Sequence, residues 1–192
     1  NVFGLIIITP VISWYLLKDW DVIKNRIEQS VPIKHKKKFS KNAEDINHIL
    51  ASYFRGQFLV SFLLAIYYSV TFFLIDLNYS LFLGIFTGLL TFIPILGILI
   101  SMVTSILLVF LQYFDFIYII YVLGIFLLGQ LIESYLLTPK IIGKKLGIHP
   151  AMIIFSIIVF GATFGIVGIF FAIPLTSILI FYFEKFIKNI NK

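Results

Sequence analysis

Long apolar stretches alternate with short polar ones along the chain, and the apolar stretches are unusually long. Segments 56–75, 77–114 and 151–183 carry no charged residue, and segment 116–138 carries only Glu133. About 18 consecutive apolar residues already indicate a membrane-spanning helix. The pattern therefore predicts an all-α integral membrane protein, with residues 1–192 forming a single membrane domain.

Two of these stretches have a length that fits neither one crossing nor two. Segment 77–114 has 38 residues, or about 57 Å as one helix, against a hydrocarbon core about 30 Å thick. Segment 151–183 has 33 residues, with glycines and a proline near its centre that permit a turn. We therefore predict two short hairpins interrupted by Gly and Pro. The alternative reading of the second stretch is that its small residues pack one membrane helix against another.

The two halves of the chain resemble each other. Each has a spanning helix followed by a predicted hairpin, and the two hairpins enter from opposite sides of the membrane. "GLLTFIP" (88–94) and "GIFFAIP" (168–174) share Gly, Ile and Pro at the same spacing. This outline is typical of an inverted repeat, in which paired interruptions mark a transporter's central site. A chance match in a chain rich in Gly and Ile is the open alternative.

Residues 35–54 have the pattern of a different element. Apolar side chains recur there at helical spacing, opposite lysines and other polar side chains, which indicates an amphipathic helix on the cytoplasmic membrane surface. This helix lies in a basic cytoplasmic segment, residues 18–55. Its apolar positions are Phe39, Ala43, Ile46, Leu50 and Tyr53.

Composition and charge support this topology. The chain is 60% hydrophobic with a mean hydropathy of +1.06 and a net charge of +6. All fifteen Lys and Arg fall in residues 18–55, residues 140–145 or the last eight residues, so the positive-inside rule makes these segments and the C-terminus cytoplasmic. We expect no nucleic-acid partner for "KHKKK" (34–38), because basic juxtamembrane runs are ordinary. The chain begins with Asn1 in apolar sequence, which predicts a fragment lacking N-terminal helices.

The hairpin tips are the predicted walls of a functional site, since backbone groups freed at a broken helix need protein or a water-filled cavity as partner. Hydroxyl groups near the tips suit a hydroxylated solute or a cation, although such groups also bond their own helix. The substrate-path candidates are Thr87, Thr91, Pro94 and Gly97 in the first hairpin and Thr163, Gly165, Gly168 and Pro174 in the second.

Glu133, with Gln130 one turn earlier, completes the set of candidates. An ionisable group in a membrane segment indicates function, here a proton or cation carrier. Alternatively, Glu133 reaches the cytoplasmic surface or pairs with a lysine of the following loop. The three histidines are scattered, with His149 before the last hairpin, and the sequence contains no motif of a metal site, a cofactor site or an enzyme.

Five motifs together resemble the autoinducer-2 exporter family, over essentially the whole chain and matching the family's C-terminal part. They are "WYLLKDWD" (14–21), "YFRGQ" (53–57), "FIPILG" (92–97), "LLTPKIIGKKLGIHP" (136–150) and "FGIVGIFFAIPL" (164–175). The resemblance implies a multi-span transporter of the bacterial inner membrane, with some members exporting the quorum-sensing signal and others exchanging sodium or lithium for protons. Besides candidates already named, the family pattern falls on Arg55, Gly56, Gln57, Pro139 and Gly143.

Three functional hypotheses follow. The leading one is a secondary transporter that exports a small polar organic solute. The second is a sodium or lithium/proton antiporter in which Glu133 titrates, and the third is a membrane scaffold that transports nothing. The expected partners are the lipid bilayer and either a small polar solute or a monovalent cation and protons, and the sequence leaves open whether the protein is a homo-oligomer.

Overall fold

The structure, a computed structural model, describes residues 2–142 and 150–190, and all its regular elements are helical. The all-α prediction is therefore confirmed. Residue contacts divide the chain into two compact units, Asn1–His48 and Ile49–Lys192. The helices are α1 (Val2–Lys18), α2 (Trp20–Ser30), α3 (Ile33–Leu74), α4 (Ser80–Leu90), α5 (Leu96–Tyr113), α6 (Phe116–Leu131), its π-helical continuation π1 (Ile132–Ile142), and α7 (Pro150–Ile190).

Four helical stretches in the described residues are long and apolar enough to cross a membrane: Ile33–Leu74, Leu96–Tyr113, Phe116–Ile141 and Ala151–Ile187. Large apolar side chains are exposed along all of them, for example Phe73 at 68% and Ile158 at 64%. A soluble protein rarely exposes apolar patches of this extent, whereas lipid accommodates them. The chain is thus a multi-pass membrane protein.

The unit Asn1–His48 contains α1, α2 and the beginning of α3. Val31 is extended, as expected for a residue that precedes proline, and α3 begins directly after Pro32. The carbonyl of Pro32 accepts bonds from the N–H groups of His35 and Lys36, at 2.8 and 3.1 Å. Between α2 and the first turns of α3 lies a groove of about 610 Å³, which Trp20 and Phe39 help to line.

Helix α3 corrects one sequence-based expectation. The amphipathic stretch 35–54 was predicted to be a separate helix before the spanning segment 56–75. Instead it is the first part of α3, which runs unbroken from Ile33 to Leu74. The physical reason is the lack of a helix breaker: α3 contains no proline, and its one glycine, Gly56, is buried within the helix.

The unit Ile49–Lys192 has its core where α3, α4, α5 and α6 meet. A stripe of buried side chains on α3 recurs every four residues, which places it on one face of the helix. The facing helices contribute mainly aliphatic and aromatic side chains. The core consists of Val60, Leu64, Tyr68, Phe72, Leu77, Leu83, Val109, Val122, Ile125 and Phe126.

A polar cluster joins the end of α3 to the end of α5. The hydroxyl of Tyr113 donates to the carbonyls of Ile75 and Asp76, at 3.0 and 2.8 Å. The Gln112 amide donates to the Asp76 carbonyl and accepts from the N–H of Asn78, both at 2.8 Å. The C-terminal ends of α3 and α5 therefore lie together.

The two long apolar segments, 77–114 and 151–183, each contain a break in the helix. Residues 91–95 form a turn between α4 and α5, with Ile95 at φ 66° and ψ −58°. Helix α7 is interrupted at Gly165, which has φ 62° and ψ −144°. A Cβ atom at Gly168 would overlap the carbonyl of Phe160, although eight residues of straight helix would separate the two by about 12 Å. The axis of α7 therefore turns sharply at Gly165.

Candidate functional site

Helix α3 caps the end of α4 with two polar side chains. The amide of Gln57 donates to the carbonyl of Thr91 at 3.0 Å, and the hydroxyl of Ser61 donates to the carbonyl of Gly88. The last carbonyls of a helix lack the N–H groups four residues on that would normally bond them, and lipid offers them no donor. Gln57 and Ser61 therefore supply bonds that allow α4 to end within the protein interior.

The same two helices approach each other through small residues. A Cβ atom at Gly84 would overlap Ser69, and one at Gly88 would lie 2.5 Å from the Cβ of Ala65. Glycines four residues apart form one face of a helix and allow close backbone approach, as is common in membrane proteins. This contact holds α4 and the following turn against α3.

The hydroxyl groups predicted to line the path all bond their own helix. Thr87 and Thr91 are buried and donate to the carbonyls of Leu83 and Gly88, at 2.8 and 2.7 Å. Thr163 is exposed and donates to the carbonyl of Val159 at 3.0 Å. The same bonding occurs at Ser101, Thr104, Ser105, Thr176 and Ser177.

Four phenylalanines bring the two interrupted stretches together. Phe92, in the turn after α4, stacks on Phe170 of α7, with ring centroids 6.0 Å apart and an interplanar angle of 13°. Phe54 of α3 stacks on Phe170 at 6.1 Å and contacts Phe171 edge to face at 6.0 Å. We call these side chains the phenylalanine cluster. The sequence analysis missed it, because in so apolar a chain nothing distinguishes these rings from lipid-facing ones.

The remaining candidates at the two breaks differ in exposure. Gly97, Gly168 and Pro174 are buried, Pro94 is half-buried and Gly165 is exposed. Gly97 lies so close to α4 that a Cβ atom would overlap the carbonyl of Leu90. The structure thus places Phe92, two residues before Pro94, in contact with α7. The hydroxyl candidates lie on two different helices, Thr87 and Thr91 at α4 and Thr163 on α7.

Glu133 is half-buried and is the second residue of π1. Gln130 is exposed and donates to the hydroxyl of Ser134 at 3.0 Å. Within residues 2–142 and 150–190, no three His, Cys, Asp or Glu side chains are grouped to hold a metal ion.

Comparison with known families adds to this geometry. Residues 2–188 match the sequence model described as "AI-2E family transporter". The chain belongs to the AI-2E transporter family. The resemblance stated from the motifs is thereby confirmed, and this family is one of transporters, not of enzymes.

Several curated transport proteins are similar to this AI-2E family chain. It is 31% identical over 170 residues to "Putative transport protein YrrI" of Bacillus subtilis, covering 88% of this chain and 48% of YrrI. It is 26% identical over 191 residues to "Putative transport protein YueF" of the same organism, covering 100% of this chain and 51% of YueF. "Putative permease PerM" of Escherichia coli is 26% identical over 174 residues, 91% of this chain and 49% of PerM. The chain spans about half the length of these curated relatives.

The residues on which the AI-2E motifs fall have distinct surroundings. Arg55 is exposed and donates from Nε to the carbonyl of Ala51 at 3.1 Å, whereas Gly56 and Gln57 are buried. Pro139 lies in π1 and is exposed. Gly143 lies outside the described residues, as do Lys144, Lys145 and His149.

Proposed function

We propose that this chain belongs to a secondary transporter that exports a small polar organic solute across the bacterial inner membrane. The observation that carries the proposal is the contact of Phe92 with Phe170, because it joins the two interrupted helical stretches. Interrupted helices that meet are the usual construction of a transporter's central site, and access alternates when one half moves against the other. The phenylalanine cluster would then close the solute path in this conformation.

The proposal includes two hairpins arranged as an inverted repeat. Helices α4 and α5 would form the first, with its tip at residues 91–95, and α7 would form the second, folded at Gly165. The close approach of Gly168 to Phe160 supports a fold-back of α7, and the contact between α4 and α5 supports the first hairpin. The basic segments 18–55 and 140–145 would be cytoplasmic by the positive-inside rule, so the hairpins would enter from opposite sides.

The candidate path consists of the two tips together with the Gln130–Glu133 turn. Single cysteines at Phe164 and Ile95 test this, since the chain has no cysteine of its own. Both positions are exposed, at 66% and 52%. If the tips line an aqueous path, a water-soluble thiol reagent labels both and the transported solute protects them. Labelling by lipid-soluble reagents alone would contradict the path.

A second candidate function is sodium or lithium/proton exchange. It is favoured by one observation, the half-buried Glu133 in a spanning stretch, because ionisable groups at such positions commonly carry protons or cations. A sodium pulse applied to inverted vesicles with the full-length protein would then drive a proton flux. Loss of that flux in Glu133→Gln would establish exchange as the function, whereas no flux beside a working antiporter control would remove it.

The main test is export of autoinducer-2 from cells that express the full-length protein. Solute export predicts a signal that Glu133→Gln leaves largely intact, whereas exchange predicts that this variant abolishes coupling. Phe170→Ala should raise passive leak of the solute, because it opens the phenylalanine cluster. Phe186→Ala is the matched control, since Phe186 lies on the same helix and is 63% exposed. If neither export nor exchange is detected, the scaffold hypothesis replaces transport.

A further inference from the structure

The hydroxyl of Tyr68 is buried without a hydrogen bond. Tyr68 lies on α3 with 1% of its surface exposed, and its ring packs 5.0 Å from Phe126 and 5.9 Å from Phe72. Within the described part of the chain, its hydroxyl oxygen is the one buried side-chain polar atom that has no partner. Buried polar groups are nearly always bonded. Phenylalanine would fill the same space without that cost, so the hydroxyl needs another explanation.

The neighbouring tyrosine shows the ordinary arrangement. The hydroxyl of Tyr67 donates to the carbonyl of Ile125 on α6 at 2.9 Å. The two tyrosines are adjacent on α3, and both rings lie against Gly129 of α6. One hydroxyl therefore links α3 to α6 in this conformation, while the other contacts α6 without bonding it.

The Tyr68 hydroxyl faces the turn of α6 that precedes Glu133. A Cβ atom at Gly129 would overlap this hydroxyl, so the hydroxyl occupies the space that a side chain would take. Side chains of a helix lean toward its N-terminus, which directs the Glu133 side chain back toward Gly129. Between Gly129 and Glu133 the helix changes from α to π at Ile132, and π-helical turns occur frequently at functional sites.

From this arrangement we infer that Tyr68 is a positioning residue for Glu133. In a second conformation of the transport cycle, the Tyr68 hydroxyl donates a hydrogen bond to the Glu133 carboxylate and holds that side chain against α3. A hydrogen bond to a charged group is among the stronger ones, and more so where water is excluded. The movement needed is local, because the hydroxyl already lies against Gly129, about one turn before Glu133. This inference rests on the second proposed function, exchange of sodium or lithium for protons through Glu133.

The test compares Tyr68→Phe with Tyr67→Phe in the full-length protein. Each variant removes one hydroxyl and keeps the ring. Tyr68→Phe should not lower the melting temperature, because it breaks no bond of this conformation, but it should reduce sodium-driven proton flux about ten-fold, the loss expected for one hydrogen bond to a charged group. Tyr67→Phe should lower the melting temperature and leave transport per folded molecule unchanged.

A second readout does not depend on transport. The infrared carboxyl band of Glu133 is recorded with and without sodium. It is identified as the band that Glu133→Gln removes. We expect Tyr68→Phe to shift this band and Tyr67→Phe to leave it in place. A band unaffected by Tyr68→Phe, or full sodium-driven proton flux in that variant, overturns the inference. If the wild-type protein shows no sodium-driven proton flux but the band shifts, the contact of Tyr68 with Glu133 stands and the proposed exchange function is wrong.

Discussion

Replacing Gln57 by leucine should loosen the turn after α4. The Gln57 amide is buried and bonds the Thr91 carbonyl at 3.0 Å, across 34 residues of sequence. Leucine fills a similar volume but donates no bond, so the carbonyl becomes an unsatisfied buried acceptor, at a cost of about 1–3 kcal/mol. Because leucine recovers part of this through apolar contact, we expect a net loss of about 1–2 kcal/mol, or roughly 5–30-fold more frequent opening of the turn.

The opening is measured as the labelling rate of a single cysteine at Thr91, which is 8% exposed, in the full-length protein, with the melting temperature recorded in parallel. For chains of this size, each kcal/mol corresponds to roughly 2–4 °C. Gln130→Leu is the matched control: Gln130 is exposed and bonds Ser134, so its change should stay within about 0.5 kcal/mol. The capping argument is wrong if Gln57→Leu labels no faster than the wild type, or if both variants accelerate labelling equally.

Three further substitutions test local geometry by melting temperature. Ile95→Gly should stabilise the protein by about 1 kcal/mol. The β-branched residue at φ 66° is strained by about 1–3 kcal/mol, which exceeds the entropy cost of a glycine, about 0.4–1 kcal/mol. A lower melting temperature would refute this strain. Gly88→Val should cost about 3 kcal/mol or more, because a Cβ there meets Ala65 at 2.5 Å, and unchanged stability would contradict the α3–α4 contact. Gly124→Ala should gain about 0.5–1 kcal/mol, because nothing lies within 4 Å of a Cβ there; a loss would mean that a neighbour occupies this space.

The positions of the helix breaks were predictable, since they follow from local chemistry. Glycine tolerates the positive φ found at Gly165, and the length of segment 77–114 excludes a single span, so the breaks at Gly165 and residues 91–95 could be expected. The continuity of α3 was harder to predict, because the change from polar to apolar composition near Arg55 suggests a boundary where the backbone has none.

Contacts between distant residues could not be predicted from one sequence. The family pattern includes Gln57, but nothing local indicates that its partner is the carbonyl of Thr91. The phenylalanine cluster and the Tyr68–Gly129 contact depend likewise on how helices pack. The π-helix from Ile132 has no known composition signal that would separate it from an α-helix in the sequence.

The bonding of the serine and threonine hydroxyls has a consequence for selectivity. Each hydroxyl on α4, α5 and α7 described above gives its single proton to a carbonyl of its own helix. The oxygen keeps its lone pairs, so in the proposed path these groups would present acceptors and no donors to a solute. A path with such a lining favours cations and solutes rich in O–H and N–H groups, and it offers phosphates and carboxylates nothing to replace their hydration.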